Sequence, residues 1–207
     1  MIAVVDYGLG NLASVRNAFR EIGSDVIVTS DADLIAGAGG VVLPGVGAAG
    51  AGMAHLRECG LDAVVRDVAM AGTPLLGLCL GMQLLFDGSD EGDITCLGLI
   101  PGTVRRFQTT EKVPHIGWNQ VQTRAEASIW QGIAPNPYFY FVHSYVCRPD
   151  DLEVIAGTTE HGVEFCSAVA SGTIWGTQFH PERSGRTGLH LLKAWVHGVE
   201  KVPAVFT

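Results

Sequence analysis

Cys79 stands at the centre of Gly77-Leu78-Cys79-Leu80-Gly81, the G-x-nucleophile-x-G spacing of a nucleophile elbow. Ahead of it Leu75 to Leu78 is a short apolar run entered through Pro74, and behind it Met82 to Phe86 continues in a helical pattern. A strand that turns at once into a helix forces its central residue into a strained backbone conformation, and the flanking residues must be small for close packing. The turn lifts the sulfur above the sheet edge at a helix N-terminus. There the positive end of the helix dipole favours thiolate, the state that attacks carbonyls. Taken alone, the motif fits better a cysteine buried as a small hydrophobe, the commonest fate of a free thiol.

Two features elsewhere reverse that preference. Thr173 to Phe179 reads as a strand and ends in His180-Pro181-Glu182. A histidine leaving a strand end, followed two residues later by a carboxylate, can supply a base and the group that orients it. Pro181 stiffens the connection. With an elbow cysteine the pair forms a candidate triad: Cys79 as nucleophile, His180 as general base and then acid, Glu182 holding the imidazole tautomer. The chain order of cysteine, histidine, acid differs from the nucleophile, acid, histidine order of the α/β-hydrolases. The other feature is the upstream turn Pro44-Gly45-Val46-Gly47.

The elements that must position these groups are legible in outline. Ile2 to Val5 is a β-branched strand ending in Asp6, followed by Tyr7-Gly8-Leu9-Gly10-Asn11 and a helix through Val15, Ala18, Phe19 and Ile22. A dinucleotide fingerprint is not completed, because Ala13 stands where its third glycine belongs. Strands are expected at Asp25 to Thr29 and Gly40 to Leu43. Ala48 to Ala54 then reads as a small-residue stretch, and a helix follows with Leu61, Val64, Val65 and Val68 on one face. The first 86 residues or so therefore alternate β-α-β-β-α-β-α, which predicts a parallel sheet with helices on both sides. Asp87 to Asp93 reads as a solvated acidic connection. Beyond it, β-rich runs are expected at Val104 to Phe107, Gln120 to Thr123, Tyr138 to Val142 and Val154 to Thr158. Phe165 to Ala170 and Thr173 to Gln178 are expected to form a hairpin across Ser171-Gly172. A last helix is expected from Thr187 to Val199, with Leu189, Leu192 and Val196 inward.

Composition narrows the function classes. The 207 residues are 47% hydrophobic and 16% charged, with net charge −8 and a mean hydropathy of +0.27. This predicts one globular domain over residues 1–207 with a large core. Such a chain is an unsuitable partner for nucleic acid or an anionic membrane. No apolar run reaches the ~20 residues of a membrane helix, and Met1 to Val5 lacks the basic start of a signal peptide. Cys59, Cys79, Cys96, Cys147 and Cys166 are odd in number and widely spaced, without a C-x-x-C. Neither a disulfide framework nor a zinc site is expected, and the chain reads as cytoplasmic. His55, His115, His161, His190 and His197 show no metal spacing, and no cofactor is indicated.

GLCLGMQLLF together with GTQFHPERS resembles the class I (triad) glutamine amidotransferases. Within them VVDYGLGNLASVRNAF, VLPGVGAAGAGM, VPHIGWNQV and YFVHSY resemble the glutaminase subunits of imidazole glycerol phosphate synthases. The matching stretches run from Ile2 to Ser184. The resemblance implies an open, mostly parallel, flavodoxin-like α/β sheet with helices on both faces and an antiparallel β-rich C-terminal half. It implies hydrolysis of L-glutamine to L-glutamate and ammonia through a Cys79 thioester. The ammonia would pass to a (β/α)8-barrel cyclase partner in a heterodimer of histidine biosynthesis. By the family motif, the oxyanion donors fall on the backbone N–H groups of Leu80 and of Val46, within Gly45, Val46 and Gly47. Gln83 and His143, Ser144 and Tyr145 would bind glutamine. Tyr7, Gly8, Gly10, Asn11, His115, Trp118, Asn119 and Arg183 would lie toward the partner.

Arg183 stands where a lysine is common, and Ala49 where an aromatic is expected. Two alternatives stay open on the residues themselves: a glutaminase serving another synthase, such as one making pyridoxal phosphate, or a non-catalytic member of the superfamily. The ASVRNAF and PHIGWN blocks oppose the first, and the intact Cys79, His180 and Glu182 oppose the second.

Overall fold

The structure, a computed structural model, describes residues 1–201. Its organising element is a parallel sheet built from β1 (Ile2–Val5), β2 (Val26–Thr29), β3 (Gly40–Leu43) and β4 (Leu75–Leu78). The order is β2-β1-β3-β4, all parallel. β1, β3 and β4 are buried along their whole length, as runs such as IAVV and GVVL require when both sheet faces are covered. Alternation then divides the core. Ala3, Val5, Val41 and Leu43 pack on one side of the sheet, and Ile2, Val4, Val42, Leu76 and Leu78 on the other.

The helices between these strands are α1 (Leu12–Glu21), α2 (Ala32–Ala36), α3 (Ala49–Glu58), α4 (Leu61–Met70) and α5 (Leu80–Leu84). Asn11 caps α1, its side chain accepting from the Ser14 N–H. Val15, Ala18 and Phe19 bury one face of that helix against the second core. The Phe19 ring meets Trp195 edge-on at 6.0 Å.

Past α5 the chain turns antiparallel. The strands are β5 (Phe86–Ser89), β6 (Ile94–Thr95), β7 (Ile100–Arg106), β8 (His115–Gln120), β9 (Gln122–Thr123), β10 (Tyr138–His143), β11 (Tyr145–Pro149), β12 (Ile155–Glu160), β13 (Glu164–Ser171) and β14 (Ile174–Thr177). A last helix, α6 (Gly185–Lys201), closes the described chain. The sheet continues as β4-β14-β13-β11-β7-β5-β6, and β8 pairs with β10 in a separate two-stranded ribbon. β14 is the hinge between the halves, parallel to β4 and antiparallel to β13. The expected α/β class with a β-rich second half is the observed one.

Several boundaries differ from expectation. The small-residue stretch after Gly47 is helical, and Gly52 within it lies close against the Leu80 and Leu84 side chains, which explains the small residue there. α2 was missed, a five-residue helix capped by Asp31. The acidic connection is half strand: Phe86 to Ser89 pairs with β7, and Ser89 is buried. The hairpin turn is Gly172-Thr173, one residue later than expected, because Ser171 still pairs with Ile174. α6 buries Leu191, Leu192 and Trp195, with Leu189 and Val196 only partly covered. No helix among the described residues is long and apolar enough to cross a membrane.

Candidate active site

Parallel pairing of β4 with β14 brings the candidate nucleophile to the candidate base. Leu78 pairs with Thr177, and the Cys79 N–H donates to the Thr177 carbonyl at 2.7 Å. The two strands end side by side, so residues 79 and 180, a hundred positions apart, share one sheet edge. Cys79 has φ 52° and ψ −105°, a left-handed conformation for a side chain with a Cβ. Such a backbone costs of order 1–3 kcal/mol and persists only where its surroundings hold it. The flanking glycines do that. A Cβ on Gly77 would lie 2.8 Å from the Gly81 backbone, and one on Gly81 would overlap the Leu43 carbonyl oxygen.

After β14, the His180 N–H donates to the Tyr140 carbonyl and the Ser184 hydroxyl donates to the His180 carbonyl. The first ties the turn to β10, as does the Tyr140 N–H donating to the Ser184 hydroxyl, and the second closes the turn on itself. His180 Nδ1–H donates to Glu182 Oε1 at 2.8 Å, with both side chains buried. Nε2 is thereby left as the nitrogen that can face Cys79. It has no hydrogen-bond partner among the described residues. Burial by itself lowers the His180 pKa, but Cys79 and Glu182 raise it more, pushing it up to about 10. The ring is therefore poised to hold a proton and deliver it to a leaving group.

A cleft of about 260 Å³ opens over Cys79, enough for an amino acid. Val46, Gly47, Leu80, Gln83, His143, Ser144 and Tyr145 line it. Gly45 lies beneath, where an added Cβ would meet the Tyr7 hydroxyl at 2.6 Å and Leu80 Cβ at 2.8 Å. Gly47 carries the left-handed φ of +96°. The two Nε2 hydrogens of Gln83 are engaged by the Gln178 Oε1 and the Tyr145 carbonyl, so its side-chain oxygen is what it can offer a ligand. His143 lines the cleft and spends both ring nitrogens on protein partners.

Glu91, Pro114 and Val142 line the cleft and Gln178 supports it, and none of them was singled out from the sequence. Glu91 brings a carboxylate to the cleft and accepts from the Ala49 N–H at 2.8 Å. It was hidden in an acidic run that looked merely solvated. Ala49 is fully buried, which leaves no room for the aromatic expected there. Gln178 is buried and donates to Cys79 Sγ at 3.7 Å.

The residues expected to face a partner divide. Gly8, Asn11, Trp118 and Arg183 are exposed, Gly10 and Asn119 partly so. Arg183 stacks over the Tyr140 ring at 4.4 Å, a use of its planar fork that a lysine would not reproduce. Tyr7 and His115 are corrections. The Tyr7 side chain is buried, its hydroxyl donating to the Pro44 carbonyl at 2.7 Å. His115 points inward among aromatic rings. Alternation along β8 explains the latter: Ile116 and Trp118 take the outer face and His115 the inner. No metal-binding cluster of histidine, cysteine or acidic side chains occurs among the described residues.

A strand-elbow-helix cysteine, a histidine and carboxylate from the neighbouring strand end, and a mostly parallel sheet together define the class. The glutamine amidotransferase class-I family model matches residues 3–198, and the chain belongs to that family. The fold agrees: a crystal structure of a glutamine amidotransferase superposes with a TM-score of 0.75 at 19% identity, over 95% of this chain and all of that one. The PurLQS structure from Thermotoga maritima gives 0.75 at 16%, over 96% and 98%. Within the family, the chain is 50% identical to the imidazole glycerol phosphate synthase subunit HisH of Moorella thermoacetica, over 93% of this chain and 92% of that protein. It is 48% identical to the same subunit of Herpetosiphon aurantiacus, over 95% and 93%.

Proposed function

We propose that the chain is the glutaminase subunit of an imidazole glycerol phosphate synthase, with Cys79, His180 and Glu182 as its triad. The observation that carries this is the hydrogen-bonded union of β4 and β14, which sets the strained Cys79 beside a buried His180–Glu182 pair. Glutamine enters the cleft, and the Cys79 sulfur attacks its side-chain amide carbon. The resulting oxyanion is met by the N–H groups of Leu80 and Val46. His180 protonates the departing nitrogen, ammonia leaves, and a thioester remains on Cys79. His180 then takes a proton from water, which attacks the thioester and releases glutamate.

The ammonia goes to a (β/α)8-barrel cyclase. Its docking face is the outer side of the β8–β10 ribbon, where Ile116, Trp118 and Tyr138 are exposed apolar side chains and Arg183 lies over Tyr140, together with the exposed Val46 that lines the cleft. Mixing the chain with a candidate barrel and supplying glutamine should give glutamate and cyclised product. His180→Asn should remove the glutamine-dependent reaction by several orders of magnitude, while supplied ammonia still makes product. Loss of the ammonia-dependent reaction in that variant would overturn the role given to His180.

Glu91 supplies the carboxylate for the α-ammonium of glutamine, the one cationic group of that substrate. Glu91→Gln should raise the glutamine KM roughly 10- to 100-fold, the worth of a charged hydrogen bond, with kcat little changed. Steady-state kinetics decide it, and an unchanged KM would remove Glu91 from the binding site.

A further inference from the structure

Beyond the triad, a chain of hydrogen bonds runs from the β8–β10 ribbon to the Cys79 sulfur, and each proton in it can be assigned. A carbonyl only accepts, so the Tyr145 carbonyl 2.9 Å from His143 Nδ1 puts a proton on that nitrogen. His143 Nε2 is then bare, and His115 Nδ1, 3.0 Å away, must donate to it. His115 Nε2 is bare in turn and accepts from Asn119 Nδ2–H at 3.2 Å. Asn119 is oriented by donating to the Glu160 carbonyl at 2.8 Å and accepting from the Gln120 N–H. On the cleft side, the Tyr145 carbonyl takes a second bond from Gln83, which donates to Gln178, which donates to Cys79 Sγ.

The scheme requires neutral rings, and the surroundings enforce them. His115 and His143 sit among Phe107, Phe141 and Phe165, and His115 stacks on His161 at 4.1 Å. Burial lowers the pKa of His115 to about 4 and that of His143 to about 3. A phenylalanine would fill this aromatic box without the cost of burying a polar ring. The imidazole is explained by its two directed hydrogen bonds.

We propose that His115 is a positioning residue for glutamine binding: its Nδ1–H holds His143 in the Nδ1-protonated tautomer, and that N–H holds the Tyr145 carbonyl and with it the Ser144–Tyr145 wall of the cleft. With the other tautomer, a bare Nδ1 would confront the Tyr145 carbonyl, two acceptors would repel, and the wall would move off its place. The role rests on the glutaminase reading above.

The test uses the complex with its barrel partner and two variants. His115→Phe keeps the aromatic packing and removes the donor; His115→Asn returns an N–H near the position of Nδ1. His115→Phe should raise the glutamine KM about tenfold, the loss of roughly one hydrogen bond, with kcat within about threefold. His115→Asn should restore the KM to within about threefold of the parent. Two-bond ¹H–¹⁵N spectra should show His143 as a pure Nδ1–H tautomer in the parent and a mixture in His115→Phe. Any of three results overturns the proposal: an unchanged KM in His115→Phe, a defect that asparagine fails to rescue while the His143 tautomer stays pure, or an Nε2–H tautomer in the parent. A parent without glutaminase activity would sink the functional reading instead, and the tautomer spectra would still decide the coupling.

Discussion

Cys79→Ala should reduce glutamine hydrolysis by roughly 10⁶-fold, the scale seen when a nucleophile is removed from a triad that acts as a unit. No other thiol can replace it. Cys96, Cys147 and Cys166 are buried, and burial raises the pKa of each, which keeps them as inert thiols. Cys59 is exposed but follows α3, outside the residues that line the cleft. A thiol-alkylating glutamine analogue should therefore label Cys79 first, and mass spectrometry of the labelled peptide checks it. Equal labelling of all five cysteines would end the assignment. Alanine keeps a Cβ and hence the backbone strain at φ 52°. Cys79→Gly relieves it and should be more stable than Cys79→Ala by about 1 kcal/mol or more. Urea denaturation of the two inactive variants measures that difference.

Gly81→Ala should be among the most damaging single methyl additions in the described chain. The added Cβ would overlap the carbonyl oxygen of Leu43, which belongs to the backbone of β3. Neither side can yield by rotating a side chain. α5 would have to withdraw from β3, and Gly77, packed on the Gly81 and Met82 backbones, would lose its contacts. Losses above about 4 kcal/mol arise from few mechanisms, and forced overlap of buried backbone is among the severest. The variant should be largely insoluble or unfold at far lower urea, with no glutaminase activity. Gly172→Ala is the control. Its φ of +57° strains the turn, yet nothing lies within 4 Å, so it should cost only on the order of 1 kcal/mol. Similar stability of the two alanine variants would mean that the elbow is far looser than its geometry.

How much could be read before the fold was known follows from the range of each interaction. The elbow and the strands around it were legible because their causes are local. A strand that turns straight into a helix needs small neighbours, and buried parallel strands need continuous apolar runs such as IAVV, GVVL and LLGL. α3 was not legible, because its small residues form no apolar stripe, and Gly52 is placed for the approach of α5. Glu91 looked like one solvated acid among several, and only the pairing of β5 with β7 turns its loop over the cleft.

The residues alone set the elbow at Cys79, the stiff exit of His180 and Glu182 from a strand, and the parallel sheet of the first half. Only the folded core sets β14, which crosses from the antiparallel half, beside β4, so that Cys79 and the His180–Glu182 pair share one sheet edge. It also turned Tyr7 and His115 inward, away from the partner-facing surface expected of them. Both outcomes depend on contacts between residues tens of positions apart. Local sterics and side-chain periodicity specify an element and its faces, but which strand it pairs with and which face is covered are settled by the whole core at once.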